Sequence, residues 1–455
     1  LNNYRKSVLV VMKIKTLIFK VALTAILSTV LTLSPLQAAS IDWRKVSRLH
    51  DKDFLAYVES LDLLGQQALD FWKRIPVSRA NKQVNRLYRK EAFAIYVKKY
   101  PRIEGQAESF TPGMGTEATG PISGQALKLP FTGYHPLPEG PIGNPDKIYR
   151  IGYTIHGLGH PWLLNNADSA QWEAQRHSNV ELIVQDPGFN NQEQVAQIDA
   201  WVKENVDGIM VWPMQEAHTG APVDRAHAAG IPTVTVDRQV GSRQVLAQVT
   251  GNFPANGAQQ GIYLVHRLLQ ETDNVKGKIL LIRKPLGSTA DAMRTGHFLK
   301  VISYFPGLEI VDSKHNSSNR AKSKEQVAEA LQTHAEIDAI FCTGAEQAMG
   351  AVLAVDEAER WNSRAQGRRI IILSNDDLFE ALQAMREDKI GVTAPYTPLL
   401  GALGLRVLLK SLAGESVPKN VVTPDLPMIT REPINIFGVQ TIGIDDWIPY
   451  SYGRH

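Results

Sequence analysis

The chain has 455 residues, 44% hydrophobic, 21% charged and 7% aromatic, with one cysteine, Cys342. That describes a globular protein with a sizeable core and room for two or three domains of roughly 100–200 residues, and it excludes disordered, collagenous and disulfide-framework classes. The net charge of +3 is uneven: residues 1–38 carry Arg5, Lys6, Lys13, Lys15 and Lys20, and without them 44 Lys+Arg face 46 Asp+Glu, a net of −2, which gives no electrostatic case for a nucleic-acid partner.

In chain order, residues 1–39 read as a secretory signal peptide. Lys13, Lys15 and Lys20 precede a mostly apolar run, Val21 to Leu33, and Pro35-Leu36-Gln37-Ala38 follows. The order charged, apolar, small predicts cleavage after about Ala38 and a periplasmic location. A retained signal anchor is the alternative, disfavoured because the apolar run is short for a bilayer. Met12 stands where such a peptide would begin.

Residues 40–104 form an expected helical extension, with Phe54, Val58, Leu61 and Leu64, then Ala68, Phe71 and Trp72, at helical spacing, and a second helix over Val84 to Val97. Residues 105–147 are dense in Pro and Gly, which prevents regular structure and predicts a linker.

From Tyr149 the pattern changes to short apolar runs: Tyr149–Ile155, Val180–Val184, Gly208–Val211, Thr233–Val236, Lys278–Ile282, Leu308–Val311, Ala339–Phe341, Ile370–Leu373 and Val392–Ala394. Helical patterns fill the gaps, among them Ala167–Arg176, Asn191–Asn205 and Gln259–Leu269. Apolar strands separated by helices predict an α/β fold with parallel sheets covered on both faces. So long a region predicts two such doubly wound lobes rather than one. Ligands in these sheets bind beyond the carboxyl ends of the strands, so the strand-end loops are where function is sought.

After Ile155 comes His156-Gly157-Leu158-Gly159-His160-Pro161-Trp162. Gly157 and Gly159 lack the third glycine of a dinucleotide fingerprint, and His156 and His160 are separated by two glycines with no further ligand at metal spacing. No cofactor and no metal are therefore expected. Trp162 could stack on the apolar face of a sugar ring or fill the core between helix and sheet. Asp237 and Arg238, after Val236, offer an acceptor and a donor to a polyol, or form a structural pair. Ser288 and Thr289 could cap a helix presenting Arg294 to the cleft. Ser374-Asn375-Asp376-Asp377 could read ligand hydroxyls or cap the next helix. No nucleophile elbow, phosphate loop or His-Glu-x-x-His occurs, which argues against an enzyme.

Taken in order, these loops make residues 148–425 resemble the type I periplasmic binding proteins, in particular the ribose/galactose sugar-binding branch, itself related to the effector domain of lactose-repressor-type regulators. His160-Pro161-Trp162-Leu163 stands where that branch has Asn-Pro-aromatic-aromatic. Ala228-Ala229-Gly230-Ile231-Pro232-Thr233-Val234 with Val236-Asp237-Arg238 is similar to its Gly-Ile-Pro…Asp-Arg block. Gly251-Asn252-Phe253, Arg294-Thr295-Gly296-His297-Phe298 and Ala348-Met349-Gly350-Ala351 continue the match.

The resemblance implies a first lobe of about 148–252 plus 397–424 and a second of 253–396 plus 425–455, joined by a three-segment hinge. It places ligand contacts at His160, Trp162, Asp237, Arg238 and Arg294, with Asn375, Asp376 and Tyr396 at positions where this chain departs from the branch. It implies capture of a small sugar or polyol by hinge closure and presentation to an ABC transporter permease, or alternatively to a membrane sensor. An exported sugar-acting enzyme is the more distant alternative, and a repressor is disfavoured because a signal peptide and a Pro/Gly linker stand where its DNA-reading helix-turn-helix would be.

Overall fold

All nine apolar runs form strands in the computed structural model, which describes residues 41–75, 82–99, 136–423 and 426–447. The expected signal peptide and most of the expected linker lie outside the described residues. Among the described residues, no helix is long and apolar enough to cross a membrane.

The chain divides after Leu63. The first unit contributes α1 (Trp43–Val46), capped by the Asp42 carboxylate accepting from the Arg44 and Lys45 amides, and α2 (Asp51–Ser60). The second unit opens with α3 (Gly65–Arg74) and α4 (Lys82–Lys99). Their apolar faces bring Trp72 to 5.3 Å from the Tyr304 ring and Phe93 to 4.8 Å from Phe305 and 5.6 Å from Phe437. These two helices are thus anchored by aromatic edges to the lobe built from residues 253 onward.

The first lobe comprises β1 (Tyr149–Ile155), α5 (Pro161–Gln175), β2 (Val180–Gln185), α6 (Asn191–Glu204), β3 (Gly208–Trp212), α7 (Glu216–Ala228), β4 (Thr233–Val236) and β5 (Ala247–Thr250). The chain crosses into the second lobe through α8 (Phe253–Thr272), then β6 (Lys276–Arg283), α9 (Thr289–Ser303), β7 (Gly307–His315), α10 (Arg320–Thr333), β8 (Ala339–Cys342), α11 (Ala345–Glu357), β9 (Ile371–Asn375), α12 (Phe379–Arg386) and β10 (Val392–Ala394). It returns for α13 (Leu400–Leu412) and β11 (Asn420–Val422), and crosses again to β12 (Ile429–Thr430), β13 (Asn435–Ile436), β14 (Val439–Gln440) and β15 (Ile442–Gly443).

The first sheet runs β11-β5-β4-β3-β1-β2 and is parallel throughout. The second runs β15-β12-β10-β9-β8-β6-β7, with one antiparallel pairing at β10–β12. Strands buried on both faces explain the unbroken apolar runs: Ile151, Tyr153 and Ile155 in β1, and Ile340, Phe341 and Cys342 in β8, are fully enclosed. The strands the sequence did not announce, β5 and β11 to β15, are two to four residues long, too short to carry a period.

Three crossovers join the lobes, after β5, β10 and β11. The first two are pinned to each other, since the Gly251 amide donates to the Tyr396 hydroxyl at 2.8 Å. A Cβ at Gly251 would stand 2.4 Å from the Tyr396 ring, so the close approach of these two segments requires glycine.

Candidate functional site

The carboxyl ends of both sheets face one cleft of about 360 Å³, near the lower end of the usual range for small-molecule sites. His160, Trp162, Asp237, Arg238, Arg294, Asp376 and Tyr396 all line it. Asn375 does not: it is fully buried at the end of β9, where its amide donates to the Cys342 carbonyl at 3.0 Å. The strand alternation explains this correction, because Asn375 still belongs to β9 and points into the lobe, whereas Asp376 has left the ladder with φ +67°.

From the first lobe, β1 delivers His156 and the His160-Pro161-Trp162 turn. His160 caps α5, its Nδ1 accepting from the Trp162 amide at 3.1 Å. Burial, with the Lys284 ammonium nearby, pushes its imidazole down to about 4, so it stays neutral as an acceptor. The glycines of this turn have a steric role: a Cβ at Gly157 would lie 2.6 Å from the Phe189 ring. Phe189 and Trp212 in turn flank His156, with ring centroids 5.8 and 4.6 Å away.

Trp162 lines the cleft and is also core. Its indole is buried, packs edge-on to Trp212 at 5.0 Å, and donates Nε1–H to the Tyr396 carbonyl at 2.8 Å. Tyr396 stacks on Phe253 with centroids 4.6 Å apart and planes 6° off parallel. These rings form an aromatic floor contributed by both hinge segments and α5.

Polar groups stand around that floor. Asp237 turns out of β4 with φ +69°, and Arg238 beside it lies 3.6 Å from its carboxylate while donating Nη1–H to the Met214 carbonyl at 2.8 Å. Burial raises the Asp237 carboxyl, partly offset by the Arg238 guanidinium. Across the cleft Arg294, 1% exposed, donates to the Thr343 carbonyl and to Asp376, each at 2.7 Å, and its guanidinium lies over the Phe253 and Tyr396 rings at 5.1 and 5.0 Å. Burial alone would push Asp376 up, but Arg294 and then Lys284 more than offset it, and its carboxyl sits below the usual range.

Lys284 is the wall residue that sequence reasoning missed. It follows β6 directly, so a cation at the carboxyl end of an apolar strand was the available signal. Its ammonium donates to the Ser318 hydroxyl at 2.8 Å. Burial, opposed in part by Asp376 and reinforced by Arg294 and Arg238, brings it down to about 8. Phe189, Met214 and the Ser317-Ser318-Asn319 loop also line the cleft, and no pattern announced them.

The expected cap at the start of α9 is not made. Ser288 occupies the N-cap without a side-chain bond to the helix, and Thr289 instead bonds the Glu216 carboxylate of the first lobe. Thr289 Oγ1 also accepts from the Gln239 amide at 3.1 Å. These bonds bridge the two lobes at the cleft edge, so the protein is seen in a closed arrangement. Among the described residues no group of three or more His, Cys, Asp or Glu side chains is placed to hold a metal. The site has donors and acceptors around an aromatic floor, suited to holding a hydroxylated ring without covalent chemistry.

Comparison with known proteins gives the same architecture. Residues 151–416 match the family model described as "Periplasmic binding protein domain". The ribose import binding protein of Bacillus subtilis is 22% identical over 61% of this chain and 86% of its own length. An ABC transporter solute binding protein from Bacillus halodurans, solved with bound myo-inositol, is 26% identical over 63% of this chain and 96% of that one, with a TM-score of 0.56. A Mycobacterium smegmatis protein solved with β-D-fucofuranose is 25% identical over 61% of this chain and 90% of that one, with a TM-score of 0.56.

Proposed function

The chain belongs to the periplasmic binding protein domain family, and from that premise we propose that it captures a small sugar or polyol between its lobes and presents it to an ABC importer. The observation that carries this reading is the cleft itself. Trp162, Phe253 and Tyr396 give a ring-sized apolar surface, and Asp237, Arg238, Arg294 and Asp376 surround it with hydrogen-bonding groups. The similarity to a solute binding protein carrying myo-inositol and to a Mycobacterium smegmatis protein in complex with a fucofuranose supports the same ligand class.

Function then follows from population shift. Ligand bridges first-lobe groups (Trp162, Asp237, Arg238) and second-lobe groups (Arg294, Asp376), so it binds the closed form better than the open one. The closed form presents one rigid surface for a membrane partner to read, and the work is done in the periplasm. Presentation to a membrane sensor is the second reading. It is favoured by α3 and α4, a fixture on the second lobe that capture and delivery do not require.

A thermal-shift screen of residues 40–455 against pentoses, hexoses, polyols and small furanosyl compounds tests the ligand class. A ligand at a hundred times its Kd adds about 2.7 kcal/mol, a readable rise in melting temperature. No shift with any member would overturn the carbohydrate reading. Uptake of the hit by cells with and without the protein, beside a signalling readout, separates importer from sensor.

A further inference from the structure

The charges of the cleft wall do not balance. Three permanent or near-permanent cations line it, Arg238, Lys284 and Arg294, against two carboxylates, Asp237 and Asp376. The carboxylates are already engaged, Asp376 with Arg294 at 2.7 Å and Asp237 with Arg238 at 3.6 Å. Lys284 is left over. Its ammonium is buried, its hydrogen bond runs to the neutral Ser318 hydroxyl, and among the described residues no carboxylate reaches it at ion-pair distance. The two histidines on the wall, His156 and His160, are held neutral and supply no counter-charge.

A buried ammonium without a counter-ion is costly, and a site retains one where the ligand brings the missing charge. Hydrogen bonding leans the same way. Arg294 Nε and Trp212 Nε1, both on wall residues, are buried donors with no hydrogen-bond partner. The imbalance is one unit of charge. A carboxylate supplies one, whereas a phosphate monoester brings close to two and would meet Asp237 and Asp376 as well.

Resting on the reading of this cleft as a sugar or polyol site, we propose that its occupant is a sugar acid, a polyhydroxylated ring or chain whose carboxylate pairs with Lys284. The ring lies on the aromatic floor, its hydroxyls engage the Asp237–Arg238 and Arg294–Asp376 pairs, and the carboxylate reaches toward Lys284 and the Ser317-Ser318-Asn319 loop. The ammonium, brought down to about 8 by burial, is only partly charged in mildly alkaline solution, so the carboxylate draws a proton onto it as it binds. The groups that face it are Asp376, Arg294, Arg238, Asp237, His160 and His156, and the carboxylates among them are already ion-paired.

The test is calorimetric titration of the mature protein with matched pairs: D-galactose and D-galacturonate, D-glucose and D-glucuronate, sorbitol and D-gluconate, with glucose 6-phosphate alongside. In at least one pair the acid should bind ten-fold or more tightly than its neutral partner. Lys284→Gln should remove that preference, lowering the affinity of the acid at least ten-fold more than that of its neutral partner. Should the variant fail to fold, wild-type titrations near pH 8 in buffers of different ionisation enthalpy give the second readout. About half a proton should be taken up with the acid and none with the neutral partner. A neutral sugar that binds tightly with no gain from its acid overturns this inference and leaves the sugar-site reading standing. Tighter binding of glucose 6-phosphate than of every carboxylate overturns the carboxylate assignment. No binding by any member overturns both readings.

Discussion

Replacing Arg294 by alanine tests whether the second-lobe wall is held together by the same group that meets the ligand. The guanidinium donates to the Thr343 carbonyl and the Asp376 carboxylate, each at 2.7 Å, and lies 3.4 Å from Asn256 Oδ1. Asp376 is 8% exposed, so removing Arg294 leaves a largely buried carboxylate without its guanidinium partner. Breaking a buried pair from one side costs about 3–5 kcal/mol. Here the lower end is expected, about 3 kcal/mol, because Lys284 also stabilises the ionised Asp376. Urea unfolding should show the midpoint falling with the slope unchanged, and calorimetry should show ligand affinity falling at least ten-fold. The double variant R294M/D376L separates the two roles. An apolar pair of similar volume should restore most of the stability, yet leave binding impaired because both ligand-facing groups are gone. A loss of stability below about 0.5 kcal/mol in R294A would refute the argument, since that is the range of surface substitutions.

Three further outcomes are expected. In the first lobe the buried Glu173 accepts from Arg406 at 2.7 Å and from the Leu137 amide at 3.1 Å, so Glu173→Ala should cost about 3–5 kcal/mol in urea unfolding. Burial works to raise its carboxyl, but His177 and Arg406 outweigh that and hold it below its ordinary 4.5; its stabilisation is therefore full above that value and lost as pH falls through the lower folded one, and a melting profile from pH 7 to 3 should be flatter in Glu173→Gln. Thr289→Ala removes the bonds to Glu216 and the Gln239 amide that bridge the closed lobes; about 1 kcal/mol of closed-state stability should go, seen as a roughly five-fold faster ligand off-rate in stopped flow. Gly251→Ala should lower the unfolding free energy measured in urea by about 2 kcal/mol, because the Tyr396 ring occupies the space its Cβ needs; an unchanged midpoint would show that the two hinge segments can part freely.

How much of this was legible in the sequence follows from what each feature depends on. The strands of the two central sheets are continuous apolar runs because helices cover both faces, and an enclosed strand needs no polar alternation. Asp237, Arg238 and Arg294 were legible because they sit at strand ends or on the following helix, where such sheets place their ligands. Of the adjacent candidates Asn375 and Asp376 only the second reaches the wall, because one residue in a strand reverses the direction of a side chain and the ladder takes Asn375 inward. The bond of Thr289 to Glu216 could not be read at all. It joins residues far apart in sequence on different lobes, and local rules favoured a helix cap at that position. Phe189 and Ser318 have the same character, since loops without periodicity are placed by the lobes that carry them.

The aromatic floor bears on how ligand binding reaches the hinge. Tyr396 sits on the second crossover, accepts the Gly251 amide of the first on its hydroxyl, and accepts the Trp162 indole of α5 on its carbonyl. A single residue therefore ties two hinge strands and the first lobe's ligand-facing helix together, while its ring carries the Arg294 guanidinium of the second lobe at 5.0 Å. A ligand resting on that floor touches the parts whose separation defines opening. On the proposed mode of binding, closure needs no relay through the lobes, because the groups proposed to hold the ligand are those that tie the two crossovers together. Mutations of Tyr396 should accordingly change affinity and the open–closed equilibrium together, whereas Arg238, which shares the wall but donates to the Met214 and Pro213 carbonyls of the first lobe, should change affinity with the equilibrium of the empty protein left in place. Small-angle scattering of the ligand-free Tyr396→Phe and Arg238→Gln variants distinguishes the two. Equal radii of gyration for both variants and wild type would mean that the hinge is set elsewhere.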